Sequence, residues 1–195
     1  MKKIILKTRL CLNLKLTVFK LIVLILAMSS NALACGPTPQ KVSKEITIKA
    51  NAVTVWQVIK QFDAIAQWHP DVQTSVPIQK LDDEGASASF RLITLKNGLK
   101  LEEKHRETPD ADMKLDYQMS QGDFPVSNYR GVMQVKMGAT AGESVVTWVG
   151  RFNNKANTLD APAGQDNATA THAVETFYED GLAGLKAMVE VLSKQ

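Results

Sequence analysis

The stretch 168-ATATHAVETFYEDGLAGLKAMVEVL-192 decides how the rest of the chain must be arranged. Val174, Phe177, Tyr178, Leu182, Leu185, Met188, Val189 and Leu192 recur at steps of three and four, so they share one helical stripe. Burying a large apolar side chain is worth roughly 1.5–3 kcal/mol, so a stripe about seven turns long must find an apolar surface upstream. Gly181 lies in the middle of the stripe and Gly184 beside it. Each costs a helix about 1 kcal/mol against Ala. Two accounts follow: the backbone packs closely against its partner there, or space is left open beneath the helix.

Strands that supply such a surface precede it. Val42, Lys44, Ile46, Ile48 and Ala50 alternate with polar residues, as in a half-buried strand. Asn51 then caps a helix carrying Val55, Trp56, Ile59 and Phe62; Ala64 to Gln67 adds a turn, and Pro70 ends it. After the turn 82-DDEG-85, residues 86–96 read as a strand leading into Asn97-Gly98, the strongest short hairpin signal. A two-residue loop there sets Thr94 opposite Leu101, Leu92 opposite Glu103 and Phe90 opposite His105. On that register Phe90, Leu92, Leu99, Leu101, Glu103 and His105 face inward, while Arg91, Lys100, Glu102, Lys104 and Arg106 face water. Three more alternating strands run through Met113–Met119, Tyr129–Met137 and Val146–Phe152. Two irregular segments stand out, Gln121 to Val126 and the longer Asn153 to Asn167, the latter of a length often found in binding loops.

The N-terminus reads as an export signal. Lys2, Lys3, Lys7, Arg9, Lys15 and Lys20 precede the apolar run Leu21 to Met28, and Ala32-Leu33-Ala34 is a small-residue cleavage site. The run is shorter than the roughly 20 apolar residues of a spanning helix; an uncleaved anchor is the alternative. The expected organisation is a signal peptide over 1–34, an extended leader over 35–41 and one domain over 42–195. A periplasmic location is the expectation. Six of the 23 basic residues precede residue 36 and none of the 20 acidic ones does, so the remainder carries about three net negative charges. No basic cluster interleaved with aromatics appears, and nucleic acid is not an expected partner. Of the two cysteines, Cys11 lies in the signal and Cys35 follows the cleavage site. Ala-Leu-Ala-Cys fits either plain signal cleavage or lipid attachment at Cys35, which would tie the protein to a membrane.

Strand, helices, about six antiparallel strands and one long final helix describe an α+β chain, and the order resembles the helix-grip fold. The residues that carry a family resemblance are Val55-Trp56, Asp63, Trp68-His69-Pro70, Asn97-Gly98 with Leu101-Glu102-Glu103, Val126 to Arg130, and Thr147 to Phe152. Over Gln40 to Leu192 they make the chain similar to the START/pollen-allergen-like (SRPBCC) superfamily, in its polyketide cyclase/dehydrase branch. The signal and the leader Gly36 to Val42 resemble a narrower set, the periplasmic MxaD-like accessory proteins of methanol oxidation. The resemblance implies a curved antiparallel sheet wrapped around the C-terminal helix, with a cavity between them for a small hydrophobic molecule. In the narrower set it also implies a dehydrogenase or cytochrome as partner.

The candidate lining follows from the inward set: Phe90, Leu92, Leu101, Glu103, Tyr117, Met119 and Tyr129 from the first strands. Met133, Trp148 and Phe152, with Met137, continue it on the last strands, and Phe177, Gly181 and Leu185 on the helix. Inward Met and aromatic residues suit a plain core equally well. Glu103 is the one inward carboxylate: it is satisfied by Tyr117, Tyr129 or water, or orients a ligand, or acts as a general acid or base. His105, two residues along the same face, is its candidate catalytic companion or a rim residue. His69 reads as a turn cap and His172 as a solvated residue opposite the apolar stripe. No metal-ligand spacing, catalytic triad or nucleotide motif occurs, so no metal and no cofactor is expected. Three functions remain: a hydrophobic-ligand carrier, a polyketide cyclase or dehydratase, and a module whose outer surface binds a partner. The lack of a convergent catalytic set favours the first over an enzyme.

Overall fold

Alternation dictates the first strand, β1 (Gln40–Ile48), which begins two residues ahead of the expected Val42 and buries Val42 and Ile48. A computed structural model describes residues 36–194. The expected signal segment and Cys35 lie outside the described residues. Asn51 caps α1 (Ala52–Ile59) as expected, its side chain accepting the Thr54 N–H at 2.9 Å. A 3-10 turn over Phe62–Gln67 follows, then β2 (Val72–Leu81), β3 (Ser87–Leu95), β4 (Lys100–Arg106), β5 (Lys114–Gly122), β6 (Val126–Met137) and β7 (Ser144–Asn154). The final helix is α2 (Asn167–Leu192), capped by Asp166, which accepts the Thr169 N–H at 2.9 Å.

The seven strands form one sheet in the order β1-β7-β6-β5-β4-β3-β2, every neighbouring pair antiparallel. α2 lies on the inner face and buries Val174, Tyr178, Leu182, Leu185 and Val189 there; Leu192 is left exposed. Ties to β1 fix its angle: Lys44 meets Glu179 at 2.7 Å, and Lys186 Nζ donates to the Thr47 carbonyl at 2.6 Å. This is the helix-grip architecture.

The β3–β4 hairpin differs from its expected register by one residue. Asn97-Gly98 does not form a two-residue turn. Instead Leu95 donates to the Leu99 carbonyl at 2.8 Å, and Gly98 donates back to Leu95 across a three-residue loop. Gly98 takes φ +88°, the left-handed conformation that closes such a loop with a bulge. The pairs are Leu92 with Glu102, Arg91 with Glu103 and Ile93 with Leu101. Because side chains alternate with period two, a one-residue slip turns all of β3 over. Arg91, Ile93 and Leu95 face the core. Phe90 and Leu92, expected inside, face outward, with Phe90 covered by the Lys80 ammonium 4.4 Å from its ring centroid. Met137, also expected inside, sits at a strand end and is 78% exposed.

Candidate functional site

The flip of β3 gives Glu103 a partner, Arg91, which the expected register places on the opposite face. Arg91 Nε and its terminal nitrogen reach Glu103 Oε2 at 2.8 and 2.6 Å, both side chains almost fully buried. Arg91 also donates to the Phe62 carbonyl, and its guanidinium lies 4.2 Å from the Phe62 ring centroid. Glu103 is therefore committed to an ion pair, as an isolated buried carboxylate could not be. His105 packs its ring on Phe62 with centroids 5.1 Å apart, and burial lowers its pKa. Among the described residues no hydrogen bond joins Glu103 and His105.

Behind this pair lies a buried line of hydroxyls. Trp148 Nε1 donates to the Tyr117 hydroxyl at 2.8 Å; Tyr117 and Tyr129 hydroxyls are 3.2 Å apart, and Tyr129 and Tyr178 hydroxyls 2.5 Å. Burial raises the pKa of all three phenols, so they stay protonated. Gly131 and Gly150, directly opposite each other on β6 and β7, leave the room these hydroxyls occupy; a Cβ at either would fall 2.6 Å or less from one of them. Leu101, Tyr117, Tyr129, Met133, Trp148, Phe152 and Leu185 all belong to this packed interior, and Met119 is partly buried against it. At Gly181 the close-packing account describes the structure: a Cβ there would meet His69 Cδ2 at 2.6 Å and Trp148 Cζ3 at 2.7 Å.

His69 is the strut between the loop after α1 and α2. Its Nε2–H donates to the Phe177 carbonyl at 2.9 Å, and Nδ1 accepts the Asp71 N–H at 3.2 Å, so the turn-capping role is one half of what it does. Its ring stacks on Phe177 at 3.9 Å. Burial lowers its pKa from 6.5 to about 4. The unfolded chain then takes up the proton first, so stability is present above pH 6.5 and drains as pH falls towards 4. Urea titrations should show a loss of about 2 kcal/mol between pH 7.5 and 5 from this residue. A His69→Leu variant should have a distinctly shallower slope over that range; an unchanged slope would show that His69 is not the group responsible.

Phe177 also forms one wall of an open groove of about 410 Å³, lined by Asp71, Leu95, Lys96, Asn97, Leu99, Phe124, Pro125, His172, Ala173, Thr176 and Phe177. Four pieces of chain meet there: the turn before β2, the β3–β4 hairpin, the loop before β6, and the first turns of α2. Phe124 sets its edge against the Phe177 ring at 5.6 Å. Of the residues expected to line a cavity, only Phe177 lines this groove. Leu95 was hidden by the hairpin register, which turned it outward; Leu99, expected to face inward, was not assigned to the lining. Phe124 and Pro125 lie in the segment that had stood out only as irregular. His172 is exposed, as expected, yet stands at the groove's rim. A second cleft of about 380 Å³, on the sheet's outer face, is bridged by its own ion pairs, Lys80–Glu102 at 2.7 Å and Lys104–Asp82 at 2.6 Å. Among the described residues, no three His, Cys, Asp or Glu side chains come together as metal ligands.

Residues 39–190 match the family described as polyketide cyclase / dehydrase and lipid transport. Among curated proteins none matches this sequence. A protein of uncharacterised function from Bacillus thuringiensis is 25% identical, with a TM-score of 0.61 over 77% of this chain and 98% of that one. A START superfamily protein from Mycobacterium smegmatis is 14% identical, with a TM-score of 0.61 over 78% and 98% of the two chains. The Zhui aromatase/cyclase from Streptomyces sp. R1128 is also 14% identical, with a TM-score of 0.58 over 80% and 94%. At those identities the last two show a shared fold.

Proposed function

We propose, for a chain that belongs to the polyketide cyclase/dehydrase and lipid-transport family of the START-like superfamily, that it binds a small hydrophobic molecule in the groove beside Phe177. The observation that carries this reading is the groove itself: a concave site of about 410 Å³ whose walls are Leu95, Leu99, Phe124, Pro125, Ala173 and Phe177. Sites for small molecules are concave and mostly apolar, with a few polar groups at defined places. Lys96, Asp71 and His172 are those groups here. Catalysis through Glu103 is the weaker reading, because its carboxylate already serves Arg91.

Two further elements belong to the proposal. The export pattern over 1–34 supports a periplasmic location, with Cys35 as the lipid-bearing residue if the chain is anchored. The leader's resemblance to MxaD-like proteins supports an accessory role beside a dehydrogenase and its cytochrome.

Filling the groove tests the central claim. Ala173→Trp puts an indole on the groove wall beside Phe124 and Phe177, in the space a ligand would fill. Uptake of the neutral fluorescent probe N-phenyl-1-naphthylamine should fall at least about tenfold while the circular dichroism spectrum stays native. Unchanged uptake by a folded variant would sink the reading.

A further inference from the structure

Lys41 on β1 lies directly opposite Arg151 on β7, and Arg151 directly opposite Arg130 on β6. All three are exposed. Each is flanked in its strand by buried inward residues, such as Val42, Phe152, Tyr129 and Gly131, so the row stands on the sheet's outer face, away from α2 and the groove. Like charges placed directly across a strand pair are destabilising. This sheet accepts two such pairs in succession, in a chain whose residues from 36 onward carry more acid than base.

Internal compensation is partial. Asp116 takes the Arg130 fork through two bonds, Nε to Oδ1 at 2.9 Å and a terminal nitrogen to Oδ2, and also lies 3.5 Å from Arg106 Nε, so one carboxylate serves two guanidinium groups. Among the described residues neither Lys41 nor Arg151 has an acidic partner within salt-bridge distance. Their same-face neighbours along the strands, Ser43, Val149 and Asn153, carry no charge.

We propose that this row is a docking surface for an acidic helix on a partner protein. Neighbouring strands lie about 4.8 Å apart, so the cations repeat at that interval across the sheet. Carboxylates three and four residues apart on a helix repeat at about 5–6 Å. A helix laid across β1, β7 and β6 therefore brings one carboxylate to Lys41 and the next to Arg151, while Arg130, already held by Asp116, adds to the positive field at the end of the row. Arg151 keeps its planar fork free to take a carboxylate through two parallel hydrogen bonds, as Arg130 already takes Asp116. A lipid surface fits less well, because none of the large exposed apolar residues belongs to the row and nothing there would enter a bilayer. Nucleic acid fits less well too, because no exposed aromatic stands among the cations.

The test uses a fluorescein-labelled, Ala-rich helical peptide of about 20 residues with Glu at four-residue spacing, followed by fluorescence anisotropy. The wild-type domain should bind it at low ionic strength and release it progressively as salt is added. Lys41→Glu/Arg151→Glu should weaken binding at least about tenfold with little change in thermal midpoint, since Arg151→Glu turns the repulsion with Arg130 into attraction while the Lys41–Arg151 pair exchanges one like-charge repulsion for another. Lys49→Glu/Lys60→Glu makes the same change in net charge away from the row and should leave affinity within about twofold. Equal loss in both variants would reduce the effect to overall charge and overturn the proposal. So would failure of the wild type to bind the peptide, or capture of phosphatidylglycerol vesicles or duplex DNA in its place.

Discussion

Glu103→Leu should destabilise the domain by about 3–5 kcal/mol, because it leaves the Arg91 guanidinium buried without its counter-charge. Arg91 is 2% and Glu103 5% exposed at the side chain, so water cannot substitute for the lost carboxylate. The remaining contacts, the Phe62 carbonyl and ring, stabilise the cation but do not neutralise it. Arg91→Met/Glu103→Leu should recover most of the loss, since replacing both members of a buried pair with apolar groups of similar volume is often neutral or better. Chemical denaturation of both variants checks this. A double variant as unstable as the single one would show that the ion pair is not what Glu103 supplies. The same comparison bears on the groove: a pair that serves stability alone leaves probe binding there unchanged in the double variant.

Gly184→Ala should cost about 3 kcal/mol despite a gain of about 1 kcal/mol in helix propensity. The added Cβ would fall 2.0 Å from the Trp68 carbonyl oxygen and 2.9 Å from Pro70 Cδ. The first is backbone and cannot rotate away, so α2 or the Trp68–Pro70 segment must shift bodily. For a domain of this size the loss corresponds to a fall of roughly 6–12 °C in thermal midpoint. Gly142→Ala is the control, since a Cβ there meets nothing within 4 Å and the residue is not in the left-handed region. If the two variants melt within a degree or two of each other, the close contact at Gly184 does not restrain the helix.

The helix and its stripe were legible in the sequence because a 26-residue element carries its own period. Strand faces were legible wherever one strand alternated without interruption, as in Val146, Trp148 and Phe152. The hairpin was harder. Asn-Gly serves both a two-residue turn and the last two positions of a three-residue loop, and nothing local chooses between them. That single ambiguity put Phe90 and Leu92 inside and Arg91 outside, and so hid the partner of Glu103. Alternation could not arbitrate, since Phe90 is buried on the outer face and Arg91 on the inner. The groove was illegible for another reason: Leu99, Phe124 and Ala173 come from three segments that only the folded chain brings together. The row of Lys41, Arg130 and Arg151 is likewise spread over more than half the sequence, so no stretch of it looks basic.

The sheet order also has a kinetic consequence. β1 pairs only with β7, so the first strand made waits for the last, and Gln40 must find Phe152 before the sheet closes. The struts from α2 to Thr47 and Lys49 span about 140 residues each and form later still. Native pairings of such long sequence separation demand loop closure before they return any free energy, which places a domain among the slower folders, at milliseconds to seconds. Until α2 docks, a partly folded chain exposes the inner face of its sheet. A chain lacking its last 25 or so residues should therefore aggregate rather than fold to a smaller domain.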